Sequence, residues 1–184
     1  AVATGQPVLE CRNVTMAFGG NVAVDDVTLT INAGEIVGLV GTNGSGKTTL
    51  FNCISKVFEQ KAGEIIFLGK DIAGARRDDA SRLGIGRTYQ IPRPFSDLTV
   101  VENIAMPLMN RGADSVSLAD SLGLATQFAA YVGLTDHLSA RADSLNLQQK
   151  KALELARALA CRPKLLLVDE VASGLTPIEV RNFI

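Results

Sequence analysis

Gly41-Thr42-Asn43-Gly44-Ser45-Gly46-Lys47-Thr48-Thr49 fits G-x-x-x-x-G-K-[ST], the pattern of a loop that wraps nucleotide phosphates. Its surroundings fit as well. Ile36 to Val40 is a short apolar run rich in β-branched residues, which predicts a buried strand. From Lys47 onward, Leu50, Phe51, Ile54, Val57 and Phe58 recur at helical spacing. The order is then strand, glycine loop, helix. Glycine has no Cβ, so the loop can turn sharply and aim its N–H groups inward. The helix offers unpaired N–H groups and the positive end of its dipole to the β- and γ-phosphates. Lys47 adds a full positive charge. The Thr48 hydroxyl suits Mg2+, an ion that keeps several waters and takes few protein ligands.

A chain of 184 residues can bury one sizeable core with a smaller lobe. Apolar residues make up 47%, yet no apolar run nears the ~20 residues of a membrane span. Ala1 to Gln6 lack the charged and apolar regions of a signal peptide. A net charge of -1 argues against a dedicated nucleic-acid surface. Cys11, Cys53 and Cys161 are odd in number and share no metal-ligand spacing. They read as buried thiols in a reducing compartment.

Outward from the loop, Val8 to Thr15 and Val22 to Ile31 read as strands joined by a tight turn at Gly19-Gly20-Asn21. Asn32-Ala33-Gly34 is a turn. Gly63 to Leu68 predicts a strand ending in a turn at Gly69-Lys70-Asp71, and Leu83 to Gln90 predicts another. Arg76 to Arg82 is a short solvated helix or loop. Pro92 and Pro94 then oppose regular structure. Thr99-Val100-Val101-Glu102 is a capping-box pattern that starts a helix. Leu118 to Val132 and Leu147 to Ala160 predict further helices. A mostly helical subdomain at 91–145 is therefore expected as an insertion in the sheet-based core of a single domain, 1–184. A last helix is expected near Thr176, with Pro177 at its first position and Glu179 at its third.

Leu165-Leu166-Leu167-Val168 predicts a buried strand that runs into Asp169-Glu170. Ligands of open α/β sheets sit at the carboxyl ends of parallel strands. Asp169 there can hold Mg2+ through water, and Glu170 can orient and polarise an attacking water. Either could instead be a solvated strand-end acid.

With these motifs in place, the chain resembles the ATP-binding-cassette ATPases from about Val8 to its end. Within that family it resembles the ATPase subunits of branched-chain amino-acid importers. Phe18-Gly19-Gly20, Ala23-Val24, Thr49-Leu50-Phe51-Asn52, Gly86-Arg87-Thr88-Tyr89-Gln90 and Leu98-Thr99-Val100-Val101-Glu102-Asn103 carry that likeness. The resemblance implies an α/β fold. It would have a P-loop NTPase (RecA-like) core, an N-terminal antiparallel β subdomain and an inserted helical subdomain. It also implies that Phe18 stacks on adenine and that Gln90 touches Mg2+ or the attacking water. Ser173-Gly174-Leu175-Thr176 would contact a second subunit.

The family's signature L-S-G-G-Q aligns with Leu145-Asn146-Leu147-Gln148-Gln149. Asn146 replaces serine, and Leu147 and Gln148 replace both glycines. The resemblance places Asn146 and Gln148 against the γ-phosphate held by a partner subunit, with a weakened contact because Gln148 adds bulk. The family's switch histidine lies about one strand beyond the acidic pair. The single histidine, His137, precedes that pair. It reads as a surface or core residue, and the end of the core sheet is expected to be missing from this sequence.

The expected activity is hydrolysis of ATP with Mg2+ by a cytoplasmic subunit peripheral to the inner face of the cell membrane. Lys47, Glu170 and Gln90 would be its catalytic residues. The implied partners are a second ATPase subunit, membrane permease subunits and, indirectly, a solute-binding protein, with no nucleic acid. Pro94, Phe95, Leu98, Met106 and Leu108 line either a permease groove or the core of the lobe. The alternative is a nucleotide-gated regulatory or nucleic-acid-associated module with little turnover.

Overall fold

A computed structural model describes residues 3–89, 91–109 and 116–169. The chain divides into two compact units, Ala1–Leu83 and Gly84–Ile184.

The first unit is an antiparallel sheet with one helix. Its strands are β1 (Pro7–Phe18), β2 (Asn21–Asn32), β3 (Ala62–Phe67) and β4 (Lys70–Asp71), in the order β2-β1-β3-β4. In β1 Val8 is buried, and the alternating buried residues are Leu9 and Cys11, then Val14 and Met16. Their parity changes because the β1–β2 register shifts between Cys11 and Val14. Asn13 lies within this shift and Asp26 within the next one, between the Val14–Val27 and Met16–Val24 pairs, each with φ of 50°. Both residue types tolerate that region, and the Asn13 amide donates to the Asp26 carboxylate at 2.8 Å. The bulge keeps Val14 and Met16 facing the core rather than solvent.

α1 (Lys47–Ile54) packs on β1 and β2 and buries Leu50, Cys53 and Ile54. Burial pushes the Cys11 thiol up to about 12, which makes it an inert core residue. Cys161 is only half-buried.

Three expectations change here. The helix ends at Ile54, before Val57 and Phe58, because Lys56 adopts φ 55° and breaks the ladder. Lys70 and Asp71 leave the expected turn to pair with Phe67 and Ile66, and Leu68 and Gly69, both at positive φ, make the turn instead. Ile36–Val40 forms no strand, and Ile36 and Val40 are 63% and 94% exposed. An apolar β-branched run becomes a buried strand only beside a ladder partner, and the sheet of its own unit gives it none.

The second unit holds α3 (Val100–Met109), α4 (Leu118–Tyr131) and α5 (Leu147–Ala160) around one apolar core. Ile104, Leu108, Ala125, Ala129, Leu134, Leu153 and Ala156 are nearly or fully buried in it. Alanines on α4 and α5 let the helices approach closely. β5 (Ile85–Arg87) pairs in parallel with β6 (Leu165–Leu167), joining ends of the unit that are far apart in sequence. Among the described residues, the strand expected over Leu83 to Gln90 is confined to Ile85–Arg87, and Leu83 instead closes α2 (Arg77–Leu83).

The Thr99–Glu102 box caps α3. Glu102 accepts from the Thr99 N–H at 2.8 Å, and Thr99 Oγ1 accepts from the Glu102 N–H at 3.3 Å. The Thr99 hydroxyl, which donates to the Glu102 carboxylate at 2.7 Å, and then the Thr99 N–H hold that carboxyl below its ordinary value, so the cap's contribution is present at neutral pH and is lost as pH falls through that lowered value.

Candidate phosphate-binding site

The loop from Gly41 to Gly46 leads directly into α1. Gly46 is the N-cap, with φ 86° and no side-chain cap. A methyl group there would collide with the carbonyl of Ala23 in β2, so loop and sheet approach through glycine alone. The first turn of α1 carries no acidic residue, which leaves its N–H groups and dipole free to meet an anion.

Lys47 folds back over this loop. Its Nζ donates to the Gly41 and Thr42 carbonyls, each at 2.7 Å, and to Ser45 Oγ at 3.3 Å. The ammonium is thereby held above the loop's concave face. A cleft of about 470 Å³ opens there, with Gly41, Gly44, Ser45, Gly46 and Lys47 on one side and Val22 to Asp25 on another. Thr42, Asn43 and Thr48 are exposed and Thr49 half-buried, and Thr48 lies in the first turn of α1.

Phe18 ends β1 and is 45% exposed. It meets Phe58 edge to face, with centroids 5.2 Å apart and planes at 77°. Helical spacing in the sequence gives Phe58 only a place on a helix face. The edge contact steadies the Phe18 ring while leaving it partly open to solvent.

In the second unit Asp169 stands just past β6. Its carboxylate lies 3.5 Å from the Arg87 guanidinium, with side-chain exposures of 12% and 6%. Its N–H donates to Thr88 Oγ1 at 3.2 Å, and Thr88 is fully buried. In the sequence Arg87 and Thr88 carry only the family likeness. An arginine and a threonine next to a three-residue apolar strand were the available signal. A carboxylate fixed at a strand end is a hard oxygen donor, the chemistry Mg2+ prefers. Gln90, Glu170 and Ser173 to Thr176, and with them the helix expected near Thr176, lie outside the described residues.

At the start of α5, Asn146 is the N-cap of a reciprocal capping box. Its Oδ1 accepts from the Gln149 N–H, and Gln149 Oε1 accepts from the Asn146 N–H, both at 2.9 Å. Leu147 is 63% exposed, and Gln148 is exposed beside it. Upstream, the fully buried Asn103 takes the Phe95 N–H on Oδ1 and donates Nδ2 to the Phe95, Leu98 and Thr99 carbonyls. One side chain thus shapes the proline-bearing loop. Arg157 on α5 reaches the same loop, donating to the Arg93 carbonyl and stacking 4.9 Å from the Phe95 ring centre. Of the apolar residues with two readings, Leu108 is core and Phe95 is exposed.

Gly46→Ala is expected to lower stability by about 1–3 kcal/mol, because alanine is both strained at that φ and blocked by the Ala23 carbonyl. It should also remove nucleotide binding. Thermal unfolding with and without MgADP checks both, and wild-type stability and affinity would contradict the close approach.

The ABC transporter family model matches residues 24–173. The chain is 32% identical to the high-affinity branched-chain amino acid transport ATP-binding protein LivG of Salmonella typhimurium, over 96% of this chain and 74% of that protein. It is 36% identical to the methionine import ATP-binding protein MetN of Rhizobium johnstonii, over 99% of this chain and 50% of that protein. Among solved structures it is similar to MJ0796, a bacterial ABC transporter cassette in dimeric form. The TM-score is 0.84 at 25% identity, covering 94% of this chain and 78% of that one. The chain belongs to the ABC transporter family, as an ATP-binding-cassette ATPase domain with a P-loop NTPase fold.

Proposed function

We propose that this chain binds MgATP on the Gly41–Thr49 loop, hydrolyses it, and couples the cycle to a membrane permease that imports branched-chain amino acids. The carrying observation is Lys47, tethered over a glycine cradle at the uncapped start of α1. That arrangement places a cation and backbone donors ahead of any ligand. It favours phosphates over other anions of the same charge, because several oxygens are met at once.

In this reading the loop amides and Lys47 hold the β- and γ-phosphates, and Phe18 packs on the base. Thr48, Gln90 and, through water, Asp169 are the ligands offered to Mg2+, which when bound neutralises charge on the phosphate oxygens. Arg87 and Thr88 keep Asp169 at the strand end. Glu170 takes the proton of the water that attacks the γ-phosphorus in line, as the bond to the β-phosphate oxygen breaks. Gln90 orients that water.

Two such chains close head to tail, so that Asn146 and Gln148 of one meet the nucleotide of the other. The dimeric state of a similar cassette supports this. The segment 91–145 is the helical subdomain, and Ile91 and Phe95, both exposed, are where the permease docks. No helix among the described residues is long and apolar enough to cross a membrane, which suits a subunit that is peripheral on the inner face. The solute is met by other chains. The names of the relatives, for branched-chain amino acids and for methionine, support an amino-acid importer.

Steady-state phosphate release at saturating MgATP tests the proposal. Turnover that requires Mg2+ is expected. Tight MgATP binding without turnover would favour the nucleotide-gated module, for which the exposed Leu147 in place of a signature glycine speaks.

A further inference from the structure

The structure joins His137 to the start of α5. The residue lies in a short 3-10 turn, Thr135–His137, and its Nε2 is 2.8 Å from Gln149 Nε2. The direction of that bond follows from the backbone. The Asn146 N–H can only donate, so the Gln149 atom facing it, at 2.9 Å, must be the oxygen. The other end of the Gln149 amide is then NH2, a donor. His137 Nε2 must therefore be the bare acceptor, with the ring proton on Nδ1. Turning the Gln149 amide over would set its NH2 against the Asn146 N–H, donor against donor.

The same logic runs on to Asn146. The Gln149 N–H can only donate, so Asn146 Oδ1 faces it. The Asn146 Nδ2 protons find no partner among the described residues and lie at the exposed end of the helix. The chain of bonds thus presents Asn146 outward as a donor. This matters more here than in a glycine-bearing signature. Leu147 and Gln148 stand where glycines would allow backbone N–H groups a close approach to phosphate.

We propose that His137 is a positioning residue for hydrolysis. By accepting from Gln149 it locks the capping box in the one orientation that presents Asn146 Nδ2 to the γ-phosphate oxygens of a nucleotide held by a second copy of this chain. The inference rests on the proposed head-to-tail closure.

Two measurements test it. His137 is the single histidine, so 15N-histidine labelling reports one ring. The expected spectrum shows Nδ1 protonated and Nε2 bare in the wild-type protein, and a protonated Nε2 would overturn the bond. Phosphate release by His137→Leu, His137→Gln and Asn146→Ala tests the role. His137→Leu is expected to lower kcat roughly tenfold with KM for MgATP changed less than about twofold, since the phosphate loop still binds. In His137→Gln the side-chain oxygen reaches the place of Nε2, and kcat should return to within about threefold of wild type.

A folded His137→Leu with wild-type kcat, alongside a slowed Asn146→Ala, would overturn the role of His137 alone. Wild-type kcat in Asn146→Ala would sink the underlying contact with the partner's nucleotide. If His137→Leu does not fold, His137→Gln decides: a kcat as low as that of Asn146→Ala, despite the restored acceptor, overturns the proposal.

Discussion

Lys47→Ala is expected to abolish measurable phosphate release, with kcat/KM falling at least roughly a hundredfold. Two losses combine. Among the described residues lining the cleft, Lys47 is the one cation, so the charge that opposes the phosphates disappears. Its three bonds to Gly41, Thr42 and Ser45 also go, and the cradle loses the tether that shapes it. Lys47→Arg separates the two. It keeps the charge, but its planar fork cannot reproduce a compact ammonium seated on two carbonyls, so it should recover little activity. Unchanged turnover in Lys47→Ala would remove the loop from the mechanism.

Glu170→Gln is expected to bind MgATP normally and to slow hydrolysis by roughly a hundredfold or more, the usual loss of a general base. The amide keeps the shape and hydrogen-bonding reach of the carboxylate but cannot take a proton from water. ATP then persists, and the closed dimer should accumulate. Single-turnover assays and size-exclusion chromatography in MgATP read the two effects. Wild-type turnover in this variant would assign the base elsewhere.

Local chemistry made much of this molecule legible in the sequence. The hairpin at Gly19-Gly20, the capping box at Thr99 and Glu102, and the α5 helix depend on residues close in the chain. The glycine loop was legible for the same reason, since its shape follows from residues within nine positions. Features that depend on distant partners were not. The apolar pattern of Ile36–Val40 carries burial propensity but not the neighbour that would satisfy it. The Asn13 bulge reverses an alternation that reads as regular. Arg87 and Thr88 acquire their role only when β5 and β6 pair and bring them to Asp169. His137 looked inert because Gln149 lies a full turn and a loop away, and a hydrogen bond between two amphoteric side chains leaves no mark on composition.

The central claim is that Gly41–Thr49 receives the nucleotide. Backbone hydrogen exchange with and without saturating MgADP tests it most directly, because the loop and first-turn amides are the groups said to bind phosphate. The account predicts new protection concentrated in residues 41–49, with a smaller change at Phe18, and no such protection in Lys47→Ala. Protection that appears elsewhere while 41–49 exchanges at its free rate would contradict it.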